Sequence, residues 1–152
     1  MDDALRELYQ QVILDHQRNP RNFRDVQGAD LRAEGYNPLC GDRINVAIKL
    51  GDAGELGDVA FTGAGCAICT AAASMMTEAV IGKSTESAAE MFESFRDLVM
   101  GETAAEDVEN ILGKLCVFAG VREFPVRVKC ATLPWHTLQA ALENRRTRVS
   151  TE

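Results

Sequence analysis

The hydrophobic pattern divides the chain into a front helix, two adjacent strands and a series of later helices. Before Asn19-Pro20, apolar residues recur at intervals of three and four, which predicts an amphipathic helix that the proline ends. Polar and apolar residues alternate over 43–50, and a second β-type run covers 58–62. The glycine-rich turn 51–54 between them is short, so we expect an antiparallel pair.

The chain after residue 65 is predicted to be mainly helical. Residues 66–81 carry almost no charge and many alanines and methionines, which is typical of a buried helix that Gly82 ends. Amphipathic patterns predict a helix over 84–99, a short one after Thr103 and a last one marked by Trp135. Strands followed by helices favour the α+β class, here a small antiparallel β-sheet packed against several helices.

A single domain over 1–152 accounts for the whole pattern. A hydrophobic content of 46% in 152 residues is enough for a core. The sequence shows no internal repeat, linker or low-complexity segment. Residues 28–38 are turn-rich and predicted to be partly extended, and about 145–152 are predicted to form a flexible tail.

Charge and hydropathy exclude several classes of partner. The 16 basic and 23 acidic residues leave a net charge of −7, whereas a nucleic-acid groove needs clustered cations facing phosphate. No apolar run reaches membrane-spanning length. The N-terminus lacks the basic start and apolar core of a signal peptide, so a cytoplasmic location is expected.

The chain has five cysteines, an odd number that fits a disulfide framework poorly in a reducing compartment. Each is therefore a core residue, a metal ligand or a reactive thiol. Residues two apart in an extended chain point to one side, so Cys40 and Asp42 can aim a sulfur and a carboxylate at one point. A buried cysteine before a Gly41-Asp42 turn is the other interpretation.

Two further cysteines lie where a thiolate would be stabilised. Cys66 follows the glycine-rich segment 63–65 and begins the buried helix, where the positive helix end favours thiolate. Cys130 has Arg127 and Lys129 nearby, and positive charge lowers the pKa of a thiol. Each segment also fits an ordinary packed cysteine.

Together these segments supply three thiols and one carboxylate. That is a sensible tetrahedral set for zinc, and the same soft thiolates suit iron–sulfur clusters. Cys66-x-x-Cys69 also resembles a redox pair, but the parallel βαβ context of thioredoxin-type proteins is missing. Cys69 and Cys116 are predicted to be packing residues on apolar helical stretches.

Several motifs, in order along nearly the whole chain, resemble those of SufU/IscU-type proteins of iron–sulfur cluster assembly, a family related to the N-terminal part of NifU. The matching segments are Leu8-Tyr9, Ile13-Leu14-Asp15-His16, Asn19-Pro20-Arg21-Asn22-Phe23, Asn37-Pro38-Leu39-Cys40-Gly41-Asp42, Gly63-Ala64-Gly65-Cys66-Ala67-Ile68, and Lys129-Cys130-Ala131-Thr132-Leu133 with Trp135. The resemblance implies the SufU/IscU-like fold.

Within that family the chain is similar to the SufU branch. IscU-type proteins carry Leu-Pro-Pro-Val-Lys, the docking segment for a dedicated Hsp70 chaperone, and a histidine directly before the last cysteine. Here these positions hold Glu123-Phe124-Pro125-Val126-Arg127 and Lys129, which argues against that Hsp70 partner. The long spacer from Cys66 to Cys130 is also typical of SufU proteins.

The resemblance implies a zinc-bound sulfur acceptor. Its zinc ligands would be Cys40, Asp42, Cys66 and Cys130, and Cys40 would take persulfide sulfur from a PLP-dependent cysteine desulfurase of the SufS type. The sulfur or cluster would then pass to a downstream scaffold or to apo-proteins. The alternatives are a scaffold that assembles a [2Fe–2S] cluster on the same thiolates, a protein with structural zinc, and a C-x-x-C redox protein.

Overall fold

The computed structural model describes residues 3–144 and the backbone of 149–150. In chain order the elements are α1 (Asp3–Arg18), β1 (Leu31–Asn37), β2 (Asp42–Leu50), β3 (Leu56–Ala64), α2 (Ala67–Val80), α3 (Thr85–Val99), α4 (Ala105–Leu112), a 3₁₀ segment (Gly113–Glu123), α5 (Pro125–Leu142) and β4 (Val149–Ser150). The tail predicted for about 145–152 lies outside the described residues except for the backbone of β4, and it stays a prediction.

The sheet has the order β3-β2-β1-β4. β1 and β3 both pair antiparallel with β2, and the two-residue β4 adds a parallel edge to β1. The predicted α+β class with a small antiparallel sheet is therefore confirmed. β1 was predicted only as a partly extended segment, because its residues do not alternate cleanly between polar and apolar.

Helix α2 confirms the prediction of a buried helix, since every residue over 71–77 is buried. It packs with α5 against the sheet. Behind them the ring of Phe95 stacks on Trp135 at 5.3 Å and meets Phe118 edge-on at 5.6 Å. These three aromatic side chains form the part of the core that lies under α3 and the 3₁₀ segment.

The last helix begins at Pro125 instead of near Trp135, so the predicted start is wrong. Proline is well tolerated in the first turn of a helix, where its missing N–H would have had no helical partner. Pro134 lies within α5 and cannot donate to the carbonyl of Cys130, four residues earlier. Cys130 therefore lies inside a helix and is not merely adjacent to one.

None of the helices in the described part of the chain is long and apolar enough to span a membrane.

Candidate metal centre

Strand register brings the predicted site segments to one end of the sheet. Asn37 pairs with Asp42 across β1 and β2, so residues 38–41 form a tight turn that holds Cys40 at its tip. Gly41 adopts a φ of +72°, which a side chain would disfavour. Ala64 pairs with Arg43, so the chain leaving β3 passes directly beside Asp42 on its way to Cys66.

Cys66 is the N-cap residue of α2, and its sulfur accepts a hydrogen bond from the backbone N–H of Cys69 at 3.5 Å. Its own backbone N–H donates to Oδ1 of Asp42 at 2.8 Å. These two bonds fix the start of α2 against the start of β2. The predicted thiolate position at a helix N-terminus is thus what the structure shows.

The donor atoms of Cys40, Asp42 and Cys130 lie within 4.8 Å of one another. The sulfurs of Cys130 and Cys40 are 3.3 Å apart. The sulfur of the fourth residue, Cys66, is outside this close group, but the Cys66 backbone N–H donates to Oδ1 of Asp42 at 2.8 Å. The structure therefore brings three of the four predicted site residues into one close group, and Cys66 is linked to that group through Asp42.

Burial distinguishes these four side chains. Asp42 and Cys130 are fully buried, at 0% exposure, whereas Cys40 and Cys66 are partly exposed. The site is thus open on the side of the turn and closed on the side of α5. A reactant approaching from solvent meets Cys40 or Cys66 before the other two.

Hydrogen bonding sets opposite pKa directions for two of the thiols. The bond from Cys130, helped by the Cys69 N–H, lowers the pKa of Cys66 to about 6 against the opposing effects of burial and of Asp42. The same bond to Cys66, together with burial, raises the pKa of Cys130. The lowered pKa predicted for Cys130 from its neighbouring cations is wrong, because a buried thiol that donates to a neighbouring sulfur keeps its proton.

Asn37 is a site residue to which the sequence analysis assigned no role. It is completely buried, and its Nδ2 donates to Oδ2 of Asp42 at 3.1 Å and to the sulfur of Cys130 at 3.5 Å. Its Oδ1 accepts from the backbone N–H of Leu39 at 3.2 Å. One amide therefore joins β2, α5 and the turn of Cys40. The role of Asn37 follows from its pairing with Asp42. That pairing can be predicted only if the register of β1 is known.

Cys69 and Cys116 are buried, as predicted. Burial raises the pKa of both thiols. A Cβ placed on Gly65 would lie 2.9 Å from Oδ1 of Asp42 and 3.2 Å from the sulfur of Cys69, so Cys69 borders the site from the core side. The thiol of Cys116 donates to the carbonyl oxygen of Ala105, away from the four site residues.

The donor set fits a tetrahedral zinc ion. Zinc is commonly held by thiolate sulfur, and a carboxylate oxygen is an accepted fourth ligand. Ligand side chains of metal sites are usually oriented by further hydrogen bonds, and Asp42 already has two, from Asn37 and from the Cys66 N–H. The same sulfurs also suit iron, so the donor chemistry alone leaves both metals open.

Comparison with known proteins places these residues in a family context. The family model for the NifU-like N terminal domain matches residues 8–131, which include all four site residues. A Bacillus subtilis (strain 168) protein named zinc-dependent sulfurtransferase SufU is 43% identical over 132 residues, which cover 87% of each chain. A Streptococcus pyogenes serotype M1 protein named iron–sulfur cluster assembly scaffold protein IscU is 40% identical over 139 residues, covering 91% of this chain and 85% of the relative.

Comparison with solved structures agrees with the sequence comparison. The crystal structure of FiSufU from thermophilic Fervidobacterium islandicum AW-1 superposes with a TM-score of 0.82 at 34% identity. The match covers 90% of this chain and 97% of FiSufU. The similarity therefore extends over most of the chain and is not confined to the cysteine motifs.

Proposed function

Because this chain belongs to the NifU-like N terminal domain family, we propose that it is a zinc-bound sulfur acceptor in iron–sulfur cluster assembly. Its sulfur donor is a PLP-dependent cysteine desulfurase of the SufS type, and its acceptor thiol is Cys40. The observation that carries the proposal is the approach of the Cys40 and Cys130 sulfurs to 3.3 Å beside the buried Asp42. The similarity to the B. subtilis sulfurtransferase supports it.

The zinc ligands in this proposal are Cys40, Asp42, Cys66 and Cys130. Bound zinc would supply a Lewis acid that keeps the cysteine ligands deprotonated at neutral pH. The chain's own contribution is orientation. Asn37 holds Asp42 and Cys130 in fixed positions, and the Cys66 N–H holds the second oxygen of Asp42.

Sulfur transfer needs one thiolate that can reach the donor. The thiolate of Cys40 attacks the terminal sulfur of the desulfurase persulfide, a new S–S bond forms on Cys40, and the enzyme's cysteine leaves as thiolate. One S–S bond breaks as another forms, so the step needs no external oxidant or reductant. Sulfur then passes from Cys40 to a downstream scaffold or apo-protein.

Cys40 is the best placed of the three thiols for this step. It lies in the turn 38–41 and is partly exposed, and the neighbouring Gly41 has open space around its Cα. Cys66 is fixed as a helix cap, and Cys130 is buried inside α5. A turn can move at lower cost than a packed helix, since fewer contacts are broken.

The similarity to the S. pyogenes scaffold protein favours one second candidate. In that alternative the same thiolates build a [2Fe–2S] cluster, with iron and sulfide as the cargo. The two candidates predict different metals on the same residues, so metal content separates them.

Protein purified without added metal is expected to contain about one zinc ion per chain, as for a closed four-ligand site. Elemental analysis and visible absorption measure this directly. A zinc-free preparation that carries iron, absorbs in the visible range and releases sulfide on acidification would favour the scaffold. A protein that contains zinc but accepts no sulfur from the desulfurase would have a zinc ion with a structural role only.

Changing Cys69 to serine is expected to leave zinc content and sulfur acceptance within about twofold of the wild type. Cys69 is 3% exposed, and burial raises the pKa of its thiol, so it supplies thiolate less readily than Cys66 does. The measurements are zinc stoichiometry and the rate of cysteine turnover with the desulfurase. Cys116→Ser, farther from the site along the 3₁₀ segment, is the matched control. Loss of zinc in Cys69→Ser alone would make Cys69 a site residue, and loss of activity with zinc retained would revive the C-x-x-C alternative.

A further inference from the structure

An apolar groove lies between α1 and the junction of the 3₁₀ segment with α5. Its volume is about 200 Å³. The lining includes Tyr9 and Ile13 of α1, Val121 and Phe124 near the junction, and Ile68 of α2. The groove is open to solvent at one side and offers space for one or two apolar side chains.

Two residues of the groove lining are close in sequence to site cysteines. Ile68 follows Cys66 by two residues, and Arg127, which also lines the groove, precedes Cys130 by three. The negative charge of Cys66 and a hydrogen bond with Cys130 raise the pKa of Arg127, so this guanidinium lies at the boundary of groove and site. Arg127 therefore lies between the groove and the thiols, which are neighbouring parts of the surface.

The rim of that surface is unusually apolar for an exposed region. Leu39, next to Cys40, is 60% exposed, and Phe124 and Val126 are 59% and 50% exposed. Clustered exposed apolar residues mark interaction sites, and Phe124 lines the groove itself. Transfer of sulfur also requires the donor to cover this region, because the reacting sulfurs must come to near contact distance.

We propose that the groove receives a segment of the cysteine desulfurase that flanks its persulfide-bearing cysteine and presents an apolar side chain next to a carboxylate. The inference rests on the proposed function and adds its docking site. Arg6 and Arg127 line the groove with only Glu123 as an opposing charge, on a chain whose net charge is −7. A local positive charge on an acidic protein favours an acidic partner segment.

Gly120 provides a way to fill the groove without touching the thiols. It lines the groove, and a Cβ built on it meets no atom within 4 Å. Its φ is outside the left-handed region, so a side chain is compatible with the backbone. The Gly120→Phe side chain would extend into the open space that the partner segment would otherwise take.

The experiment measures the Kd between zinc-loaded full-length protein and the desulfurase. Gly120→Phe is expected to raise the Kd at least tenfold, while zinc content and sulfur uptake by Cys40 from glutathione persulfide stay at the wild-type level. Gly120→Ala should bind as the wild type does. Ala53→Phe, in the turn beyond the far end of the nine-residue β2, controls for an added exposed aromatic ring.

A second variant covers the case that Gly120→Phe fails to fold. Arg6→Glu reverses the charge of an exposed groove residue on α1 and should weaken desulfurase binding, more at low than at high ionic strength. A photocrosslinking benzoylphenylalanine at Tyr9 should attach to the desulfurase peptide that contains the persulfide cysteine. Crosslinks to a second copy of this chain, or unchanged binding in both variants, would overturn the groove proposal.

The outcomes separate this proposal from the function on which it rests. Wild-type protein that takes no sulfur from the desulfurase or from glutathione persulfide would refute sulfur acceptance itself. Wild-type protein that accepts sulfur while Gly120→Phe and Arg6→Glu bind normally would refute the groove alone.

Discussion

Replacing Cys40 by alanine is expected to abolish the increase in cysteine turnover that the wild-type protein gives its desulfurase. The wild type relieves the enzyme of its persulfide, and the only proposed acceptor thiol is missing from the variant. The desulfurase should still bind, because the groove and the apolar rim remain. Turnover is measured as alanine released from cysteine, and binding as the Kd of the complex.

Mass spectrometry after turnover should find the added sulfur on the wild-type peptide that contains Cys40. Cys116→Ala, which removes a buried thiol outside the site, should carry the label as the wild type does and serves as the control. Cys66→Ala shows the effect of losing a metal ligand while the proposed acceptor is kept, since it removes a site thiol and leaves Cys40 in place. Sulfur on Cys66 or Cys130, together with an active Cys40→Ala variant, would assign the acceptor elsewhere.

Gly35→Ala is expected to destabilise the fold by about 3 kcal/mol, the upper part of the usual range for overpacking a core. Gly35 is buried in β1, where an added Cβ would lie 2.0 Å from Oγ1 of Thr137 and 3.0 Å from Cδ1 of Leu133. Thr137 cannot easily move, because its hydroxyl donates to the carbonyl oxygen of Leu133 at 2.8 Å. For a domain of this size the melting temperature should fall by roughly 6–12 °C.

Thermal unfolding followed by circular dichroism checks this expectation. Gly120→Ala is the matched control, since its Cβ would meet open space. Adding Thr137→Ala to Gly35→Ala removes the closest obstructing atom and should recover part of the lost stability. A Gly35→Ala protein with the same melting temperature as the wild type would show that α5 lies farther from β1 than the structure places it.

Local patterns were sufficient for much of the architecture. The nearly charge-free run over 66–81 predicts a buried helix, and the structure has α2 over Ala67–Val80 with every residue over 71–77 buried. The alternation over 43–50 predicts β2, and the short turn after it predicts the pairing with β3. The donor atoms of Cys40 and Asp42 lie close together as predicted, but the turn 38–41 brings them there and not the two-residue repeat of an extended chain.

The remaining features depend on contacts that no local pattern contains. The pKa of Cys130 is set by a hydrogen bond to Cys66, which is 64 residues away in sequence (130 − 66) and acts against the nearby cations. The apolar pattern marks α5 only from Trp135, whereas the helix begins at Pro125, and its packing on the sheet outweighs the hydrogen bond that Pro134 cannot make. The role of Asn37 requires the register of β1, a strand with little alternation of its own.

The position of Asn37 directly before Pro38 has a consequence for the chemical ageing of the protein. Asparagine deamidates mainly when the backbone nitrogen of the following residue attacks the side-chain amide and closes a succinimide ring. Pro38 has no N–H to lose, so this route is closed at Asn37. Deamidation would replace the donor to Asp42 and Cys130 with a second carboxylate inside the site. The proline thus protects the site from acquiring a misplaced negative charge at a completely buried amide.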